Sequence, residues 1–149
     1  MASHVIDMLT IGNSFGTAEM RAVWSEEARL RAQLAVEGAL ARAEGDLGII
    51  PTDAADRIAA ASTEEFDLAE LAEAGAKAMH SLNATVAALQ HAAGEAGEWV
   101  HFGVTTQDVV DTGAVLQIRD GLAILRRDLR AVAGDLRGLA ERHRDTPMA

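Results

Sequence analysis

Eight consecutive residues, His101-Phe102-Gly103-Val104-Thr105-Thr106-Gln107-Asp108, bring together an imidazole, two hydroxyls, an amide and a carboxylate. A long apolar-periodic segment follows them, so the group opens a helix. A helix N-terminus presents unpaired N–H groups and the positive end of the helix dipole, which suits a carboxylate or a phosphate. Threonine hydroxyls add donors there, and Gly103 lets a ligand or another backbone approach closely. On helical spacing Thr105, Asp108 and Thr112 lie near one stripe. The commoner role for such residues is capping, with Thr105 or Thr106 as N-cap and Asp108 completing a capping box. Capping and anion binding are compatible.

A second candidate is His80, in Met79-His80-Ser81-Leu82-Asn83, just before another helix. A histidine at such a junction serves as a general acid, as a hydrogen-bond donor to a substrate, or as a partner for local carbonyls. His91 falls on a helix and faces solvent, while His4 and His143 lie near the termini. No histidine pair has metal-ligand spacing, so no metal site is expected. Trp24 and Trp99 read as core or interface anchors. The acidic residues, spread along the helices, read mostly as solvated surface.

These residues need elements to hold them. Through Phe15 the chain has no clear period, and Gly12, Asn13, Ser14 and Gly16 are turn material. Thr17 precedes a weakly helical stretch carrying Met20, Val23 and Trp24. Ser25 is an N-cap followed by Glu26 and Glu27, and the spacing of Leu30, Leu34, Val36, Leu40 and Leu47 predicts a helix over 26–47. Gly48 and Pro51 stop it. A short helix runs from Thr52 to about Ala61. Ser62 and Asp67 each begin capping-box spacing, and Asp67 starts a helix with Leu68 and Leu71. The period weakens from Lys77 to Ser81. A helix over 83–94 carries Val86 and Leu89, and Gly94 and Gly97 end it. Glu98 to Val104 reads as an ordered loop. From Thr106 almost to the end the sequence reads as one helix, with Val109, Val110, Leu116, Leu122, Leu125, Leu129, Val132, Leu136 and Leu139 on its apolar face. About forty residues at 1.5 Å each span ~60 Å, more than a compact domain of this size. Such a helix must pack against other subunits or further chain. Its spacing is not a strict heptad and suits a large bundle better than a two-stranded coil.

Composition agrees with an all-α reading. Aromatics are 3% and prolines two, whereas alanine and leucine dominate. With 149 residues, 49% of them hydrophobic, the chain is not disordered and is long enough for one sizeable core. A net charge of −10 argues against binding nucleic-acid backbones. No apolar run is long enough to span a membrane, and no signal-like segment opens the chain. The lack of cysteine removes disulfides, thiolate metal sites and cysteine nucleophiles, and fits a cytoplasmic location.

At HFGVTTQDVVDT, His101 to Thr112, the sequence resembles the first signature region of the fumarase/aspartase lyase superfamily. The form is that of the adenylosuccinate lyase and 3-carboxy-cis,cis-muconate cycloisomerase branches. Threonine stands at 106 where the pattern has serine, so the hydroxyl is kept. Glu19 to Ser25 (EMRAVWS) and Glu37 to Pro51 (EGALARAEGDLGIIP) resemble the opening of these enzymes and their next helix with its exit. The resemblance spans about 14–145. It implies an all-α fold with a small N-terminal helical domain, 1–104, followed from 105–149 by the start of a long helix of a multi-helix oligomeric bundle. It implies a homotetramer whose active sites draw on three subunits, with no metal or organic cofactor.

The implied chemistry is anti β-elimination or addition on a small anionic polycarboxylate, through a carbanion held as an aci-carboxylate. By motif position, Thr105 and Thr106 would bind the substrate carboxylate, with Gln107 and Asp108 shaping that site. His101 would be a hydrogen-bond partner there. His80 would match the histidine of a Thr-Arg-His-Asp segment that assists proton transfer, although Ser81 replaces the aspartate. Ser14 and Phe15 stand where adenylosuccinate lyases carry Arg-Tyr, which favours the cycloisomerase branch. The family's Gly-Arg-Thr-His-Gly segment and its flexible loop with the serine base lie beyond position 149. The chain is therefore expected to be the N-terminal third of such an enzyme, inactive alone. The alternatives are an adenylosuccinate lyase-type enzyme or a non-catalytic helical oligomerisation fragment.

Overall fold

The computed structural model describes residue 8 and residues 10–147. His4, Met148 and Ala149 lie outside the described residues. Helices account for the described architecture: α1 (Ala18–Val23), α2 (Glu26–Asp46), α3 (Thr52–Ala61), α4 (Leu68–Ala78), α5 (Ser81–Ala93) and α6 (Thr106–Arg142), with no strand among the described residues. None of these helices is long and apolar enough to cross a membrane.

Local chemistry sets the boundaries. The side chains of Thr17, Ser25, Asp67 and Thr105 each accept a backbone N–H in the first turn of α1, α2, α4 and α6. Gly48, at φ 68°, ends α2 in the left-handed region, and Ile49 N–H closes the turn on Glu44 C=O at 2.8 Å. The break between α4 and α5 is made by Met79, left-handed at φ 53° and 92% exposed, and by extended His80. Helix α5 begins at Ser81, two residues earlier than the spacing predicts. A 3-10 turn, Gly94–Trp99, follows it and takes in the first two residues of the loop expected over Glu98 to Val104.

The core lies where α2, α3, α5 and the 3-10 turn meet. Ile58, Leu82, Leu89 and Val109 are fully buried, and each such side chain stabilises by ~1.5–3 kcal/mol. Trp99 packs against this core, while Trp24 is half exposed. Helix α2 departs from its expected apolar face. Leu30 and Leu34 are buried, but Leu47 is 75% exposed. The buried stripe continues instead through Gln33, Glu37, Gly38, Ala41, Glu44 and Gly45. Small residues there admit α3 closely: a Cβ built on Gly45 would meet the Ala55 Cβ at 2.6 Å.

The first half of α6 packs on α1 and α2 through Val109, Gly113, Gln117, Gly121 and Ile124. Buried Gln117 donates from Nε2 to Val23 C=O at 2.7 Å. Arg127 reaches Glu19 with two bonds of 2.8 Å. Beyond Ile124 the apolar residues Leu125, Leu129, Val132, Leu136 and Leu139 are all exposed.

Candidate functional site

Thr105 is the N-cap of α6, in extended conformation at φ −98° and ψ 154°. Its backbone N–H and its hydroxyl both donate to Asp108 Oδ2, at 3.0 and 2.7 Å. Asp108 N–H returns a longer bond of 3.4 Å to Thr105 Oγ1. The capping box is therefore formed. The Thr105 hydroxyl and N–H, with some help from the charge of His101, hold the Asp108 carboxyl below its usual range. Gln107 is engaged as well, donating from Nε2 to Asp111 Oδ1 at 2.6 Å. The half-buried Thr106 side chain makes no hydrogen bond among the described residues. Of the two adjacent hydroxyls, only that of Thr106 is without a protein partner among the described residues.

The preceding loop is held from below. His101 sits at φ 62°, a left-handed conformation that costs a residue with a Cβ about 1–3 kcal/mol. Gly103, at φ 66°, meets the same demand without that cost. The rings of Trp99 and Phe102, on either side of His101 in sequence, pack against each other with centroids 5.4 Å apart. His101 Nδ1 lies 2.6 Å from Glu37 Oε1, across 64 residues of sequence. The Glu37 side chain is 1% exposed and the His101 side chain 19%.

Glu44, one heptad along the same stripe of α2, is buried nearby. A Cβ on Gly103 would lie 3.7 Å from its Oε1. Burial, reinforced by the charge of Glu37, pushes the Glu44 carboxyl above the usual range. The Oε2 atoms of both glutamates are buried without a hydrogen-bond partner among the described residues. Such atoms are uncommon in folded proteins.

These two glutamates were not legible as site residues, since acidic side chains along helices are ordinarily solvated. The available signal was their register. Leu30, Glu37 and Glu44 fall at seven-residue steps on the stripe that also holds Leu34 and Ala41.

His101 and Thr105 to Asp108 thus form one contiguous site at the start of α6. His80 does not join it in this chain. It stands exposed at the N-cap of α5 without a side-chain capping bond. There it borders a separate cleft of about 270 Å³, whose walls include Arg29, Gln33 and Thr85 and none of the α6 residues. His91 is exposed on α5, as its position predicts. Among the described residues no group of three His, Cys, Asp or Glu side chains is placed to hold a metal ion.

A loop anchored on a buried carboxylate and leading into a capped helix is the fold of the signature segment. The matching family model, described as Lyase, covers residues 14–149. The chain belongs to the fumarase/aspartase lyase superfamily. It is 56% identical to N-acetyl-S-(2-succino)cysteine lyase of Dickeya dadantii (strain 3937), over 99% of this chain and 33% of that protein. It is 49% identical to 3-carboxy-cis,cis-muconate cycloisomerase of Pseudomonas aeruginosa PAO1, over 91% of this chain and 30% of that one. Its backbone superposes on the crystal structure of 3-carboxy-cis,cis-muconate lactonizing enzyme from Pseudomonas putida with a TM-score of 0.87, at 40% identity, covering 93% of this chain and 33% of that one. The all-α fold of the superfamily's N-terminal region is thereby established, and the chain spans about a third of the length of these relatives.

Proposed function

We propose that this lyase chain supplies the carboxylate-binding part of an enzyme that eliminates a leaving group from a small succinyl-type substrate. The observation that carries the reading is the start of α6. A helix of 37 residues begins at Thr106, with the Thr106 hydroxyl uncommitted and His101 in the loop that leads into it. In a 2-succinyl substituent the leaving group sits β to a C–H bond that is α to a carboxylate. Removing that proton places charge on the carboxylate oxygens. Donors at the N-terminus of α6 would stabilise that aci-carboxylate as it forms. His101 would contact the same anion, and His80 would assist proton transfer once other parts of the enzyme surround it. Gln107 and Asp108 would shape the site by holding the helix start.

The muconate preference expected from the Phe15 to Ser25 segment has no special support. The Dickeya relative, named for a succinylated cysteine, is 56% identical and the cycloisomerase 49%. A succinyl thioether is accordingly the first substrate class to test. The division into 1–104 and 105–149, and a homotetramer assembled through α6, belong to the same proposal. The exposed apolar residues of α6 support the assembly.

The test is to express the whole reading frame that encodes this chain and offer it N-acetyl-S-(2-succino)cysteine, adenylosuccinate and 3-carboxy-cis,cis-muconate. Release of fumarate and free thiol from the first supports the proposal. Turnover of the muconate alone would replace elimination with cycloisomerisation. No turnover of any would leave the oligomerisation-fragment reading. The 149-residue chain by itself is expected to turn over none of them.

A further inference from the structure

We infer that Glu37 is a positioning residue for His101, fixing the ring in the Nδ1–H tautomer and presenting Nε2 at the start of α6. The geometry begins with the 2.6 Å separation of His101 Nδ1 and Glu37 Oε1. One hydrogen must lie between these atoms. An imidazole is a stronger base than a carboxylate, so that hydrogen belongs to Nδ1 and the carboxylate accepts it. The nitrogen left over is Nε2, which makes no hydrogen bond among the described residues. The 19% of the His101 side chain that remains exposed gives a ligand access to the ring.

The anchor is rigid. Glu37 lies mid-way along α2, between buried Leu34 and Ala41, and is itself fully buried. A surface carboxylate on a mobile side chain would not hold a ring so firmly. The left-handed backbone at His101 supports the same view. Non-glycine residues persist in that conformation where surroundings over-determine them, and such positions cluster at functional sites. Here the contact that holds the side chain is the one with Glu37. With Nδ1–H committed, Nε2 accepts a proton or, once protonated, donates to an anion. Once Nε2 is protonated, a Glu37 carboxylate at Nδ1 stabilises the ring's positive charge.

The kinetic part of this inference rests on the lyase reading, whereas the tautomer part does not. Ring ¹⁵N shifts of histidine-labelled protein, made from the whole reading frame, report the tautomer directly. Wild type is expected to show His101 protonated at Nδ1. In Glu37→Gln the amide can accept or donate, so the preference should collapse to a mixture. For the active enzyme, Glu37→Gln should lower kcat by ~10–100-fold, the range found for hydrogen-bond partners that orient metal-bound histidines, and change KM much less. In a His101→Asn background the same substitution should cost almost nothing further.

A wild-type ring protonated at Nε2, or an unchanged Nδ1–H signal in Glu37→Gln, would overturn the inference. So would an equal loss in both backgrounds, which is the mark of a purely structural glutamate. If Glu37→Gln fails to fold, the wild-type spectrum still decides. If wild type turns over no substrate, the lyase reading fails and the spectra still decide the pairing.

Discussion

Thr105 and Thr106 carry the same side chain on neighbouring residues, yet they meet different surroundings. The Thr105 hydroxyl is tied into the capping box with Asp108, and that of Thr106 is free of protein partners among the described residues. Thr105→Val should therefore destabilise the fold by ~1 kcal/mol, the usual loss for an N-cap, seen as a lower urea midpoint. Thr106→Val in the product of the whole reading frame should leave that midpoint nearly unchanged and cut kcat ~10²–10³-fold, as for a lost oxyanion donor. Equal kinetics for Thr106→Val and wild type would assign both threonines to helix structure alone. A second test at this scale concerns Glu44. Its carboxyl is pushed above the ordinary 4.5 by burial, so the folded chain keeps a proton that the unfolded chain has lost. Stability must then fall as pH rises from that ordinary value through the raised one. Glu44→Gln removes the fall. Thermal melts should show the variant gaining on wild type with rising pH, and a constant difference across the window would contradict a raised carboxyl.

Helix α2 shows how an element can be legible while its buried face is not. Its caps follow from Ser25 and Gly48, because capping is a local matter of side-chain oxygens and left-handed backbone. Its buried face does not follow from the leucines, since α3 crosses so closely that the stripe must be small. Gly45 faces the Ala55 Cβ, which cannot swing aside. Gly45→Ala should improve intrinsic helix propensity yet destabilise the protein by ~1–3 kcal/mol through overpacking. A stabilised variant in denaturant titration would mean that α3 can retreat. On the same stripe sit the two carboxylates, with Glu37 meeting the loop before α6 and Glu44 lying close to Gly103.

At the scale of the whole molecule, α6 is the element the rest of this chain does not satisfy. Its 37 residues extend ~55 Å at 1.5 Å each, and intramolecular packing ends near Ile124. From Leu122 the exposed apolar residues Leu125, Leu129, Val132, Leu136 and Leu139 recur at alternating steps of three and four, a regular seam confined to the distal half. Under the proposed assembly, Leu129→Asp combined with Leu136→Asp should dissociate the oligomer. Sedimentation would show smaller species, while helix content measured before dissociation changes little. An unchanged sedimentation coefficient would place the contact elsewhere.

The sequence alone determined the helical fold, most helix limits, the capping box and the membership implied by the His101 to Thr112 segment. These depend on composition, on periodicity and on residues within a few positions of one another. Only the tertiary structure decided that His80 stands apart from His101 in this chain, and that Glu37 and Glu44 are buried. Those outcomes depend on contacts between distant segments, such as the 64 residues separating Glu37 from His101. No local pattern encodes such a contact, because the burial that gives a carboxylate its partner is created by the packing of other helices around it.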